Sequence, residues 1–437
     1  MPWLAAGACA CITIVVLYPG QYPFDSAYQL WQARSGRFGN GSPVAMIALW
    51  AVLLEATADP AALFCLNVTL FWSGLALCVI VIAEHALARV ALLVALGMTP
   101  LVLAEMAHVL TDAHLAAVLM LATGFAACGL AARRRAPLLA CIALLVYAGC
   151  IRHNALIAIV PYGALVAPAL IPVRARGATI AVSGALLIAL LSGATGFVLD
   201  RTMVVQRYTV WPTIALWDLA AISVDRNTLL LPSFTHGAGL TVDELRETGA
   251  FDATANTFLF RKSHSGMRDG LQEPYTEAQL REVRVAWLDA VRRFPGAYAH
   301  HRLRTFWLLM GPHRGDVQGL VYFQARTPYR DNPPLPAPAA PGAQAAFYRL
   351  AGALSSGWMF SALPCLALGA VAWIAAWRRR NRLNARVALA VSSAALLYAM
   401  AFLPLAPAAD LRYLTWPIVA GPLALAFALS RRASVAP

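Results

Sequence analysis

Apolar runs separated by short polar clusters fill both ends of the chain, and the pattern changes in the middle. Candidate membrane helices fall at 3–18, 61–83, 88–105, 113–131, 137–151, 155–172, 178–198, 352–376, 385–404 and 413–430. Several are shorter than the ~20 residues of an upright span, so tilting or local thinning is expected. Four arginine clusters punctuate the runs: Arg133 to Arg135, Arg174 with Arg176, Arg378 to Arg382, and Arg431 with Arg432. Short Arg-rich loops stay in the cytoplasm. Each interval between clusters holds two crossings, so all four fit that side. The apolar piece Val44 to Thr57 then does not cross, and reads as an interfacial helix on the outer surface.

This topology places Asp25, Asp112, the "RHN" of Arg152, His153 and Asn154, and the "DLRY" of Asp410 to Tyr413 on one outer face. Ionisable groups at membrane depth are costly and face a cavity or a partner, so their convergence is the strongest functional signal in the sequence. The predicted architecture is all-α and polytopic, with about ten membrane helices in three parts. These are an N-terminal membrane domain, 1–199, with a large first outer loop, 18–60; a periplasmic or interfacial segment, 200–351; and C-terminal membrane helices, 352–437. In the middle part Thr276 and Gln279 form a capping box. Leu280, Val283, Ala286 and Leu288 follow at helical spacing, and Pro295 breaks the helix. A second helix, with Arg302 and Arg304 beside Phe306, Trp307 and Leu308, reads as an amphipathic piece resting on headgroups. The Pro-rich "TPYRDNPPLPAPAAPGAQ" reads as a tether back to the membrane.

Composition agrees: 60% of residues are hydrophobic and 13% charged, too apolar for a soluble globule. The +13 balance, 34 basic over 21 acidic residues, sits largely between apolar runs and is topology information, not a nucleic-acid footprint. All eight cysteines lie in or beside apolar runs without zinc or disulfide spacing, and read as small core residues. Trp3 to Leu17 reads as a retained anchor, and the "MPW" start, bare of flanking charge, points to a start further upstream.

Around Asp25, Ser26 and Gln29 read as a capping box, with Phe24, Ala27, Tyr28 and Trp31 as one interfacial stripe. Asp25 is then either a charge at the positive end of a helix or a carboxylate presented to a cavity. Asp112, after Thr111, is an N-cap or a site acid. Arg152 snorkels or holds a phosphate, and Arg412 pairs with Asp410 or does the same. His108, His114, His153, His300 and His301 match no zinc pattern. Walker loops, dinucleotide fingerprints and serine-hydrolase elbows are missing, so activated substrate comes from elsewhere.

These elements resemble the GT-C class of integral-membrane glycosyltransferases, which includes protein mannosyltransferases and bacterial aminoarabinose transferases. "FDSAYQLWQARSG" is similar to the acid-bearing first outer loop of that class, "TDAHLAAVLML" to its second outer acid, "IRHNALIAIVPY" to an Arg and Asn element, and "DLRYLTWP" to a terminal Asp-x-Arg-Tyr element. The sequence reads "GSPVAM" at Gly41 to Met46 where many bacterial relatives carry "HPP". The resemblance implies an enzyme of the bacterial inner membrane with a periplasmic active face. It would move a sugar, with inversion, from a polyprenyl-phosphate donor to a glycan, lipid or protein acceptor. Asp25 would be the base, and Asp112 would position the acceptor or a divalent metal ion. Arg152 and Arg412 would hold the donor phosphate, with Tyr28, Gln29, His153, Asn154, Asp410 and Tyr413 in support. The alternatives are a transporter or flippase of an anionic lipid-linked sugar, and a non-catalytic envelope-assembly protein. The broken helices and internal repeats typical of transporters are not visible in the sequence.

Overall fold

A computed structural model of the chain describes residues 2–171, 177–237, 239–260, 275–311 and 328–431. Arg174, Arg176 and Arg432 lie outside them. The chain divides into two units: Met1–Gln206 with Tyr322–Met400 and Arg412–Pro437, and Arg207–Val321 with Ala401–Leu411. The expected middle part, 200–351, is therefore shared between the two.

The first unit opens with α1 (Pro2–Leu17), α2 (Phe24–Ser35), β1 (Phe38–Gly39), α3 (Val44–Thr57), α4 (Ala62–Ile82), α5 (Ala86–Gly97) and α6 (Pro100–Met106). It continues through α7 (Thr111–Ala132), α8 (Arg135–Ile151), α9 (Ala155–Leu170), α10 (Gly177–Met203) and β2 (Val204–Gln206), which pairs in parallel with β1. The second unit holds α11 (Trp211–Arg226), α12 (Val242–Glu247), α13 (Glu277–Arg293) and α14 (Pro295–Met310). The chain then forms α15 (Pro341–Ser355), α16 (Ala362–Trp377), α17 (Leu383–Leu405) and α18 (Thr415–Leu429). Among the described residues the fold is all-α apart from the two short strands.

Among the described residues five helices are long and apolar enough to cross a membrane, or six if one bent pair is a single span. That pair is α5 and α6, expected as one span at 88–105 but bent by 64°. The break has a local cause: Pro100 at the first helical position offers no N–H, and Thr99 caps the new helix through Val102 N. The run expected at 352–376 is also interrupted, with α15 ending at Ser355 and α16 starting at Ala362.

Helix packing in the first unit relies on small residues. A Cβ on Gly74 of α4 would sit 2.5 Å from the backbone of Met120 and Leu121 in α7, so glycine is what lets these axes approach. Some buried polar side chains there pair with one another: His114 lies 2.6 Å from Asn67 Oδ1 and 2.8 Å from Tyr147 OH, and Thr123 meets Tyr162. Both ring nitrogens of His114 are thus engaged by neighbouring side chains.

The second unit packs Leu216, Leu219 and Ile222 of α11 against Leu245, Leu259 and Val283. Thr276 and Gln279 form the expected capping box, and α13 gives way to α14 at Pro295. Arg302 differs from expectation: it is not at a headgroup surface but 3% exposed. Its Nη2 donates to Asp218 Oδ2 at 2.7 Å and its Nη1 to the Ala406 carbonyl at 2.9 Å. Trp287 Nε1 donates to the same carboxylate at 2.9 Å. Burial pushes the Asp218 carboxyl up, offset in part by Arg302 and Trp287. Burial, helped by Arg302, Arg304 and His300, drives His301 from 6.5 down to about 3.

A pH dependence follows. Between about pH 6.5 and 3 the unfolded chain binds a proton at His301 that the folded protein excludes, so stability falls as pH drops through that window. The slope is at most roughly 1.4 kcal/mol per pH unit. Asp218 opposes it near its own raised range, because its folded form then takes up protons ahead of the unfolded chain. The Trp217 indole, 4.5 Å from the His301 ring, reports the change by fluorescence. His301→Phe should flatten the stability profile between pH 6.5 and 5, and an unchanged slope would exclude His301 as its source.

Candidate functional site

The segment before α2 is tied to the segment before α7. Gln21 N donates to the Ala107 carbonyl at 2.8 Å, and Val109 N donates to the Gln21 carbonyl at 3.0 Å. Gly20 makes this approach possible: its φ is +93°, and a Cβ there would meet Val109 Cγ2 at 2.8 Å and the Ala107 oxygen at 3.0 Å. Gly20→Ala is expected to destabilise the protein by about 1–2 kcal/mol from the left-handed backbone alone, and by more from the clash. A thermal melt within a degree of the unsubstituted protein would contradict it.

The helix α2 starts at Phe24, with Pro23 as its N-cap, so the capping box expected at Ser26 and Gln29 does not form. Gln29 Nε2 instead donates to Thr111 Oγ1 at 3.3 Å. Asp25 sits in the first turn, where the positive end of the helix favours a carboxylate. Asp112 lies in the first turn of α7, whose N-cap is Leu110, and makes an ion pair instead of a cap.

The structure gathers five of the expected site residues. Arg152, in extended backbone between α8 and α9, pairs through Nη1 with Asp112 Oδ1. Arg412, in the 3-10 turn Leu411–Leu414, pairs through Nη1 with Asp25 Oδ2 at 2.8 Å. Tyr413 joins the two pairs: the Arg152 and Arg412 guanidinium carbons lie 4.9 Å and 5.3 Å from its ring centroid, within cation–π range. Formal charges cancel. Accessibility is graded, with the Asp25 side chain 48% exposed, Arg412 21%, Arg152 20% and Asp112 5%. The cluster is reachable from the Asp25 end. A guanidinium carries five N–H donors, so one carboxylate oxygen does not exhaust its capacity for oxyanions.

The supporting residues divide. Tyr28 belongs to an aromatic nest with Trp31 and Tyr329, its ring 5.4 Å from that of Tyr329. Tyr329 also packs at 5.5 Å on Phe24, and Arg330 lies 4.0 Å above the Trp31 ring. The expected tether thus begins as a strap across α2, held by Asn332 Nδ2 on the Ala27 carbonyl and by Arg34 on the Asp331 carbonyl. His153 is exposed, and Asn154 is the N-cap of α9 without a side-chain cap bond. Asp410 belongs to the second unit, so the pairing that Arg412 shows within the first unit is with Asp25.

Glu105 was passed over in the sequence as part of an apolar run. It is 4% exposed, and its Oε2 lies 2.9 Å from Thr415 Oγ1. The available signal was an acid inside "TPLVLAEMAHVL". One short stretch, 105–112, consequently reaches Thr415, Gln21, Gln29 and Arg152 in turn.

The cluster does not fit a resident divalent ion. Each carboxylate is matched to a guanidinium, and no group of three or more His, Cys, Asp or Glu suited to a metal occurs among the described residues. The chain matches no protein-family model, no curated protein and no solved structure.

Proposed function

We propose that this protein is a glycosyltransferase that moves a sugar from a polyprenyl-phosphate donor to an acceptor on the outer face of a bacterial cytoplasmic membrane. The observation that carries the reading is the pair of Asp–Arg contacts joined over Tyr413. Arg152 and Arg412 supply guanidinium groups for a phosphate, whose planar forks match its oxygens. Asp25, the most exposed member, takes the proton of an acceptor hydroxyl or amine. The acceptor atom bonds to the anomeric carbon as the bond from that carbon to the phosphate oxygen breaks. The lipid leaves as its phosphate, stabilised by the arginines. Direct displacement inverts the anomeric centre. Asp112, nearly buried, keeps Arg152 in place and orients the acceptor.

The arginine clusters at 133–135 and 378–382 support the topology, with the shorter helices α1, α8, α9 and α16 crossing at a tilt and α3 lying along the outer leaflet. A second reading, a transporter or flippase for an anionic lipid-linked sugar, is favoured by one feature: the bent pair α5 and α6 with buried Glu105.

The test is reconstitution of the purified protein in vesicles with a radiolabelled pool of bacterial polyprenyl-phosphate sugars and a deacylated envelope extract as acceptor. Acceptor-dependent release of polyprenyl phosphate is the expected result. Movement of intact donor between leaflets without cleavage would replace the first reading with the second.

A further inference from the structure

The turn that carries Arg412 and Tyr413 is held from inside the apolar region. Thr415, the first residue of α18, lies one residue past that turn, and its Oγ1 is 2.6 Å from the Arg412 carbonyl oxygen. The same hydroxyl is 2.9 Å from Glu105 Oε2. Thr415 is 1% exposed and Glu105 4%. A carboxyl kept among apolar helices is costly to bury, and this one bears on a hydroxyl that closes the Arg412 turn.

We infer that Glu105 is a positioning residue: through Thr415 it sets where Arg412 and Tyr413 present their guanidinium and ring to an anionic ligand. The inference rests on the reading of the cluster as a lipid-phosphate site. The Thr415 hydroxyl has one hydrogen for the two oxygens it faces, and the Glu105 contact fixes the rotamer that keeps Oγ1 beside the Arg412 carbonyl. Glutamine at 105 can donate to or accept from the same hydroxyl, and serine at 415 retains it. Alanine at 105 and valine at 415 each break the link, the second with almost no change of shape.

The experiment measures binding of a long-chain polyprenyl monophosphate, and of the uncharged polyprenol of equal length, to the purified full chain in nanodiscs. The unsubstituted protein should prefer the phosphate. Glu105→Ala and Thr415→Val should each weaken phosphate binding about tenfold, or ~1.4 kcal/mol, with polyprenol binding unchanged. Glu105→Gln and Thr415→Ser should stay within about twofold. The double variant Glu105→Ala with Thr415→Val should be no worse than the weaker single one, because both remove one link. Should Glu105→Ala fail to fold, Thr415→Val probes the same link from its other end. Phosphate affinity unchanged in a folded Glu105→Ala or Thr415→Val protein would overturn the inference. So would equal loss of phosphate and polyprenol, which marks general damage. A protein that does not distinguish phosphate from polyprenol before any substitution would instead refute the parent reading, and this inference falls with it.

Discussion

Replacing Asp25 by asparagine is expected to lower single-turnover sugar transfer by roughly 10²- to 10⁴-fold, the loss typical of a missing general base. Asparagine keeps the size and much of the hydrogen bonding but cannot take the acceptor proton. Binding of the lipid phosphate should persist or tighten, because Asp25 Oδ2 lies 2.8 Å from Arg412 Nη1 and would compete with the proposed phosphate for that guanidinium. This combination separates catalysis from a helix-end role. A charge that merely favours the start of α2 is worth about 1 kcal/mol of stability or less, and its loss would leave turnover nearly intact. Near-normal transfer by the asparagine variant would remove Asp25 from the mechanism and move the assignment to Asp112.

The second large effect concerns stability. Arg302→Ala leaves Asp218, fully buried, without its charged partner and frees the Ala406 carbonyl. Breaking a buried pair from one side costs about 3–5 kcal/mol. Urea titration of the full chain followed by Trp217 fluorescence should show the second unit unfolding at clearly lower denaturant. Replacing both partners, Arg302→Met with Asp218→Leu, should recover most of the loss, since no charge is then stranded. A side chain resting on headgroups would behave differently, its truncation costing within about 0.5 kcal/mol. A midpoint unmoved by Arg302→Ala would restore that surface placement.

Local chemistry was legible in the sequence, and long-range pairing was not. The Thr276 capping box involves residues three apart, and the structure forms it as read. The same pattern at Ser26 and Gln29 misled, because Pro23 already supplies a start and Gln29 is drawn to Thr111, 82 residues away. The broken span at α5 and α6 was marked by Thr99 and Pro100, but a window tuned to mean hydropathy passes over a single proline. Arg302 looked amphipathic because its partner, Asp218, lies 84 residues upstream and carries no sign of being buried. Asp25, Asp112, Arg152 and Arg412 could each be picked out as polar groups at a membrane edge. Their pairing, Asp25 with Arg412 and Asp112 with Arg152, required the folded chain.

The reach of the 105–112 stretch also bears on biosynthesis. Asp112 and Arg152 are 40 residues apart and can pair soon after α8 emerges from the ribosome. Glu105 must wait for Thr415, 310 residues later. Sequence order therefore makes the Asp112–Arg152 partners available long before Asp25 has an Arg412 to meet. The four-residue acid–arginine cluster is completed only once Arg412 has been made, so under the proposed role a polypeptide released before that point would lack half of the phosphate site.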